Sequence, residues 1–271
     1  MPAKANASLA CLASGRGSDE TSRYVAVFDP LDGSSNVDAG IPTGTIFGIY
    51  EEPDGCVLDA NADGVVSGQA LRDCLGATLQ SGNKLVAAGY VLYSSATSLF
   101  FTLGAGTFGF TYDEHIGEFV LSHPNVKIPS RGKIYSINEG NRWEWDAPLQ
   151  EYITAVQKGE GETKTKYTSR YIGSMVGDVH RTLLYGGVFG YPADTKNKNG
   201  KLRLLYEAAP MAFLVEQAGG VATTGRKRIM DIEPSQVHQR VPVMLGSSED
   251  IEELQKLYAK TDKSEDIWAE C

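Results

Sequence analysis

The chain has 271 residues, 42 % apolar and 22 % charged, a balance that supports a sizeable core in one large domain or two small ones. Its formal net charge of −9 argues against a general nucleic-acid binder, which needs a basic surface, but not against a small anionic ligand that responds to local charge. The most apolar stretch, Leu99 to Phe110, is broken by Gly104, Gly106 and Gly109, so nothing reads as membrane-spanning, and four cysteines do not make a disulfide scaffold at this length.

Residues 1 to 18 are rich in Ala and Ser, with Lys4 and Arg16 and no acid. They read either as an organelle transit peptide or as a frayed terminus. Tyr24 to Phe28 is a short apolar run that ends at Asp-Pro, a buried-strand pattern. Thr43 to Tyr50 and Lys84 to Tyr93 are further strands, rich in β-branched and aromatic residues. Glu51 to Gly82, polar and rich in Gly and Asp, is a long insertion between them. Leu99 to Tyr112 alternates as a hairpin, with Phe108, Phe110 and Tyr112 on one face. Gly104 to Gly109 spells a dinucleotide-binding fingerprint, but it leads into that alternation and not into a helix, which excludes the reading. Pro124 and Pro129 interrupt the pattern and suggest a boundary near 122–130.

Helices dominate afterwards. Asp146 is a candidate N-cap, with Pro148 in the first turn, Gly159 past the end, and a stripe of Leu149, Tyr152, Ile153 and Val156. Ser174 to Tyr185 repeats the pattern, and Pro210 to Ala218 is a third helix closed by Gly219-Gly220. Ser247 and Asp250 suggest a capping box before Ile251, Leu254, Leu257 and Tyr258. Strands Lys133–Ile137, Val188–Tyr191 and Val241–Leu245 separate the helices, so the chain should fold as layers of sheet and helix.

The chemistry concentrates in Asp29-Pro30-Leu31-Asp32-Gly33-Ser34-Ser35-Asn36, directly after a strand. Two carboxylates flanking a rigid proline can converge as hard oxygen ligands, which suits Mg²⁺. The Gly-Ser-Ser that follows opens a turn whose amides can hold phosphate oxygens. Together they point to phosphoryl transfer or hydrolysis. Arg170, Lys201 and Arg203 can concentrate positive charge for a phosphorylated substrate. Taken alone, Tyr171 and Tyr191 read more readily as core aromatics than as ligands, and Lys201 and Arg203 as a solvated strand face. His180 and His238 read as structural hydrogen-bonders.

The run Val25 to Tyr50 closely resembles the fructose-1,6-bisphosphatase family. The resemblance continues through Ile134 to Gly140, Arg170 to Met175, Gly200 to Glu207 and Val237 to Arg240. It implies an α+β fold, a layered α/β sandwich of the fructose-bisphosphatase and inositol monophosphatase type. Residues 1–126 would be the remnant of an N-terminal allosteric domain and 127–271 a sugar-bisphosphate-binding domain. By this resemblance Asp29, the backbone of Leu31, Asp32 and Glu207 are Mg²⁺ ligands and the catalytic core. Gly33, Ser34 and Ser35 cradle the phosphate that leaves, while Asn138, Tyr171, Met175, Tyr191 and Lys201 hold the sugar and its distal phosphate. Arg170 is similar to the family arginine that reaches a neighbouring subunit, so a homo-oligomer, a tetramer in the family, is implied. Trp145-Asp146-Ala147-Pro148 is similar to the second metal motif of the inositol monophosphatase relatives, but Asp146 is better explained as a helix cap.

The insertion is similar to that of the chloroplast isoforms, with Cys56 and Cys74 at the positions of their thioredoxin-regulated pair. A plastid stroma location and a place in carbon fixation follow from the same likeness. The family's N-terminal segment, with a metal-binding glutamate pair and a water-activating acid, has no counterpart before Asp29, and Glu51 stands where cytosolic members carry an effector-binding arginine. The expected activity is therefore Mg²⁺-dependent hydrolysis of the 1-phosphate of fructose 1,6-bisphosphate. The alternative is a weakly active or inactive homologue that binds substrate or other subunits.

Overall fold

A computed structural model describes residues 24–51 and 78–261 of the chain. Cys56 and Cys74, like the first 18 residues, lie outside the described residues. Six strands form one antiparallel sheet in sequential order: β1 (Tyr24–Asp32), β2 (Thr43–Glu51), β3 (Leu85–Tyr93), β4 (Thr97–Thr102), β5 (Thr107–Asp113) and β6 (Glu118–Val126). The remaining chain supplies β7 (Ile134–Ser136), α1 (Ala147–Lys158), β8 (Thr168–Ser169), α2 (Met175–Tyr185), β9 (Val188–Tyr191) and β10 (Leu202–Arg203). It continues with α3 (Ala209–Gln217), β11 (Val221–Thr223), β12 (Arg240–Val241), β13 (Val243–Gly246) and α4 (Ser248–Lys260). A second sheet runs β11-β13-β9-β7-β8, antiparallel as far as β9 and parallel beyond it, and β10 pairs with β12.

These elements stack as sheet, helices, sheet, helices. Helices α2 and α3 pack on β2 and β3 and also meet β13, and α2 meets β9, so they lie between the two sheets. Helices α1 and α4 pack together, with α4 against β11 and β13. One core fills the first gap, from Val27 and Ile46 through Val176 and Leu214 to Leu245. A second lies under α1 and α4 and takes in Tyr135, Leu149, Tyr152, Ile153, Val188 and Leu254. The α+β layered class expected from the sequence is what the chain adopts. No helix among the described residues is long and apolar enough to cross a membrane.

Several local expectations hold for stated physical reasons. Asp146 Oδ1 accepts from the Leu149 amide at 3.2 Å and caps α1, and Gly159 follows its last turn. The glycine-rich Gly104–Gly106 segment is the turn between β4 and β5, not the start of a helix. Phe108, Phe110 and Tyr112 do share a face of β5, where Phe110 stacks on Phe101 at 5.5 Å, but it is the outer face; Thr107 and Gly109 are the buried side. His180 and His238 each accept or donate through Nδ1 to a tyrosine hydroxyl at 2.8 Å, Tyr90 and Tyr206 respectively. Burial lowers the His180 pKa to about 4, so its imidazole is neutral at physiological pH.

Others are corrected. The Val241–Leu245 strand is two strands, because Pro242 has no amide to give to a ladder; β12 and β13 join different sheets. Pro124 does not end the first sheet: it sits in β6, an edge strand whose register against β5 is irregular. The capping box does not form. Ser247 Oγ accepts from the Gly187 amide at 2.8 Å, and Asp250 takes the Gly132 amide at 2.8 Å, the Tyr167 hydroxyl at 2.6 Å and Arg131 at 3.2 Å. Arg131 also contacts Glu162, Glu249 and Glu253, tying three distant segments together.

Gly44 on β2 faces Asp32 across the strand pair, and a methyl group on it would lie 2.4 Å from the Val91 carbonyl and 2.8 Å from Val176 Cγ1. That missing side chain lets the start of α2 come down onto the sheet. Gly44→Ala is expected to destabilise the chain by about 1–3 kcal/mol, read as a fall in Tm of about 2–10 °C by calorimetry. An unchanged Tm would show that α2 does not need this close approach.

Candidate active site

Asp29 and Asp32 stand at the end of β1, three positions apart. In a regular strand, residues separated by an odd number point to opposite faces. Here the ladder pairs Asp29 with Ile46 and Asp32 with Gly44, so three steps on β1 oppose two on β2. The extra residue is a bulge at Pro30-Leu31, where proline's missing amide costs no ladder bond, and it returns Asp32 to the side of Asp29. Leu31 donates its amide to Asp29 Oδ1 at 3.0 Å, while its side chain is exposed. Asp32 Oδ2 accepts from the Val176 amide at 3.1 Å, one of the otherwise unpaired N–H groups in the first turn of α2. Ser174, at the cap position, makes no capping bond, and its buried hydroxyl has no hydrogen-bond partner among the described residues. A carboxylate from the other sheet does the capping instead.

The third carboxylate comes from a wide helical turn. Pro210 cannot donate to the Tyr206 carbonyl four residues back, and the chain opens into a π-turn over Leu204–Ala208, in which the Ala209 amide reaches the Leu204 carbonyl. Glu207 sits on this turn, 2 % exposed, and accepts from the Arg203 backbone amide and from Arg203 Nη1 at 3.2 Å. One oxygen each of Asp29, Asp32 and Glu207 lies within 4.8 Å of the others. Burial, against the pull of Val176, raises Asp32 to about 6. Burial likewise raises Glu207 to about 8, despite Arg203. The chain thus keeps three oxygen donors close together, with Arg203 the one arginine among the described residues that offsets them, the donor set a hard divalent cation would complete. The residues fit such an ion.

Next along the chain, Gly33 has φ +77°, a left-handed conformation that begins the 3₁₀ turn Ser34–Ala39. A side chain on Gly33 would approach Ser174 Oγ to 3.1 Å. Ser34 and Ser35 are exposed at the front of this turn. The Asn36 amide closes it onto the Gly33 carbonyl at 2.8 Å, and Asn36 Nδ2 donates to the Gly173 carbonyl at 2.9 Å. The DPLD strand, the glycine-serine turn and the start of α2 therefore form one hydrogen-bonded unit.

The residues expected to grip the sugar fall into two groups. Asn138 and Tyr191 line one narrow cleft, together with Asn141 and Asp194, which the sequence did not single out. Lys201 Nζ lies over the Tyr191 ring, 5.5 Å from its centre. Tyr171 is half-buried and interacts with Tyr191; burial foremost, then Tyr191 and Asp178, raises its hydroxyl to about 12. Met175 is buried as the first residue of α2, next to the amide that holds Asp32. Arg170 is exposed, and its Nη1 donates at 3.3 Å to the carbonyl of Ser169. Asp194 also accepts from the Lys196 and Asn197 amides at 2.9 and 2.6 Å, which shapes the loop that leads to Lys201. Asn141 donates to Asp194 at 3.3 Å across 53 positions, a pairing that nothing in the spacing of either residue marks.

A four-layer sandwich with three converging carboxylates beside a glycine-serine turn defines the layered sugar-phosphatase class. The chain belongs to the fructose-1,6-bisphosphatase family: the models of the N-terminal and C-terminal domains of fructose-1-6-bisphosphatase match residues 12–124 and 128–259. Fructose-1,6-bisphosphatase 1, chloroplastic, of Arabidopsis thaliana is 55 % identical over 236 residues, covering 87 % of this chain and 56 % of the relative. The cytosolic enzyme of Arabidopsis thaliana is 50 % identical over 241 residues, covering 89 % of this chain and 66 % of the relative. The holo crystal structure of Leishmania major fructose-1,6-bisphosphatase superposes with a TM-score of 0.79 at 45 % identity, covering 87 % of this chain and 69 % of that one. The chain thus spans a little over half the length of the chloroplastic relatives it matches.

The raised carboxyls make a pH signature. Glu207 binds its proton more tightly in the folded chain than in the unfolded one, where it titrates near 4.5. Its contribution to metal-free stability is therefore full below that value and is lost as pH rises through about 8. In EDTA, the Tm of the wild type should fall from pH 6 to pH 8 relative to Glu207→Gln. Added Mg²⁺ must displace that proton, so it should raise the wild-type Tm more at pH 8 than at pH 6, and hardly at all in Glu207→Gln. Equal Mg²⁺ stabilisation of the variant and the wild type would remove Glu207 from the ligand set.

Proposed function

We propose that the chain is a Mg²⁺-dependent phosphatase that removes the 1-phosphate of fructose 1,6-bisphosphate. The observation that carries this reading is the convergence of Asp29, Asp32 and Glu207 within 4.8 Å beside the Gly33–Ser35 turn. That assembled cluster also favours hydrolysis over the alternative of a homologue that only binds. Bound divalent ions would supply charge neutralisation at the phosphoryl oxygens and a more acidic water. Asp29, Asp32 and Glu207 would hold those ions. Gly33, Ser34 and Ser35, in the turn that directly follows Asp32, are assigned to the phosphate, whose oxygens would accept from free amides at the start of that turn.

The substrate carries about −3 to −4 charge at neutral pH, which an acidic chain must meet locally. Lys201, Asn138, Tyr171 and Tyr191 are assigned to the sugar and its distal phosphate, with Met175 under the ring. Fixing that far end holds the scissile phosphate in line with the carboxylates. Arg170, exposed on its turn, is assigned to a neighbouring subunit's cleft in a homo-oligomer. A plastid location rests on the likeness to chloroplastic relatives, at 52–55 % identity against 49–50 % for cytosolic ones. Thioredoxin control through Cys56 and Cys74 belongs to the same reading.

Purified chain with Mg²⁺ is expected to release one phosphate from fructose 1,6-bisphosphate and to leave fructose 6-phosphate intact. Asp32→Asn keeps the side chain's shape but removes a charge; losing several kcal/mol of charge stabilisation lowers kcat by about 10²-fold or more. Equal release from fructose 6-phosphate, no release from the bisphosphate, or an Asp32→Asn variant at full activity would each overturn the assignment.

A further inference from the structure

The turn that carries Arg170 and Tyr171 has little apolar packing to hold it: Arg170, Ile172 and Gly173 are all exposed. It is nevertheless pinned from beneath by a fully buried carboxylate on α2, Asp178. Asp178 Oδ1 accepts from the Ile172 amide at 3.0 Å, from Ser136 Oγ on β7 at 2.7 Å and from Arg181 Nη2 at 2.8 Å. Its Oδ2 accepts from the Gly173 amide at 3.0 Å and the Ile172 amide at 3.1 Å. On the other side of the same turn, the Gly173 carbonyl accepts from Asn36, within the glycine-serine turn. The Arg170 amide donates to the Tyr135 carbonyl at 3.0 Å. The turn's backbone is thus held between one buried acid and the phosphate-side turn.

We propose that Asp178 is a positioning residue of this site: by fixing the Arg170–Gly173 turn it holds Tyr171 against Tyr191 and keeps the sugar end of the cleft in register with the Gly33–Asn36 turn. The role rests on reading the cleft as a sugar-bisphosphate site. It differs from plain fold maintenance in what it holds. Helix α2 is already anchored by the buried Val176, Val179 and Leu183, whereas the amides of Ile172 and Gly173 reach Asp178 and no other acceptor among the described residues. Arg181 and Ser136 offset the cost of burying this carboxylate, and both of its oxygens still face the turn, Oδ2 bonding to the Ile172 and Gly173 amides alone among the described residues.

Asp178→Asn tests this. The amide keeps the shape of the carboxylate, but its NH₂ meets a backbone N–H as donor against donor. Hydrogen exchange of the amides in residues 171–174 should speed up by about tenfold or more, with protection in α1 and β9 unchanged. The KM for fructose 1,6-bisphosphate should rise by about tenfold while kcat changes by less than about twofold. Hydrolysis of p-nitrophenyl phosphate, which lacks a sugar and a distal phosphate, should be unaffected. Ser136→Ala removes one bond to the same carboxylate and leaves the charge; it should shift exchange and KM in the same direction by less, and it decides the matter if Asp178→Asn does not fold. Unchanged exchange at 171–174, or parallel losses on both substrates, would overturn the proposal. A wild-type chain inactive on both substrates would overturn the functional reading alone, and the exchange experiment would still decide the role of Asp178.

Discussion

Three largely buried carboxylates held within 4.8 Å of one another repel each other and give up most of their hydration, and the surrounding structure is arranged around that cost. Each acid is met by a different element: Asp29 by the Leu31 amide, Asp32 by the first turn of α2, Glu207 by Arg203. None of these contacts neutralises its partner, since burial still leaves Asp32 and Glu207 raised. The scaffold keeps the acids close without satisfying them, so they stay available to an external cation. Full neutralisation by lysines or arginines would give a more stable fold and a poorer metal site.

The layers serve the same arrangement. The first sheet brings the aspartates, the π-turn before α3 brings the glutamate, and α2, between the sheets, contacts both halves through its first turn and Asp178. The cleft lined by Asn138 and Tyr191 lies at the ends of β7 and β9 in the second sheet. The aspartates and the residues lining this cleft therefore belong to different sheets, and α2 packs between them.

Much of this was legible in the sequence, because the signals are local. Apolar and β-branched runs marked β1, β2 and β3, and Asp146, Pro148 and Gly159 marked both ends of α1. The Asp29–Asn36 string marked the converging aspartates and the turn behind them through residue type and order alone. What stayed hidden depends on partners distant in sequence. Ser247 and Asp250 have the spacing of a capping box, yet Gly187, Gly132 and Tyr167 claim them. Asp178 and Asn141 look like ordinary polar residues until the fold supplies Ser136 to one and Asp194 to the other. Pro124 reads as a breaker unless β6 is known to be an edge strand, and the π-turn follows from Pro210 only once a helix is known to continue through it.

The bulge at Pro30-Leu31 has a consequence of parity. A strand has two faces, and which one a side chain occupies depends on whether an even or an odd number of steps separates it from a reference residue. Asp29 and Asp32 share a side only because β1 is one residue longer than the stretch of β2 it pairs with. Exchanging one amino acid for another at these positions alters volume or charge but leaves the count intact, whereas losing or gaining one residue reverses it and turns Asp32 away from Asp29. The geometry of the aspartate pair is therefore a property of chain length over four residues. Length, unlike composition, does not change by degrees.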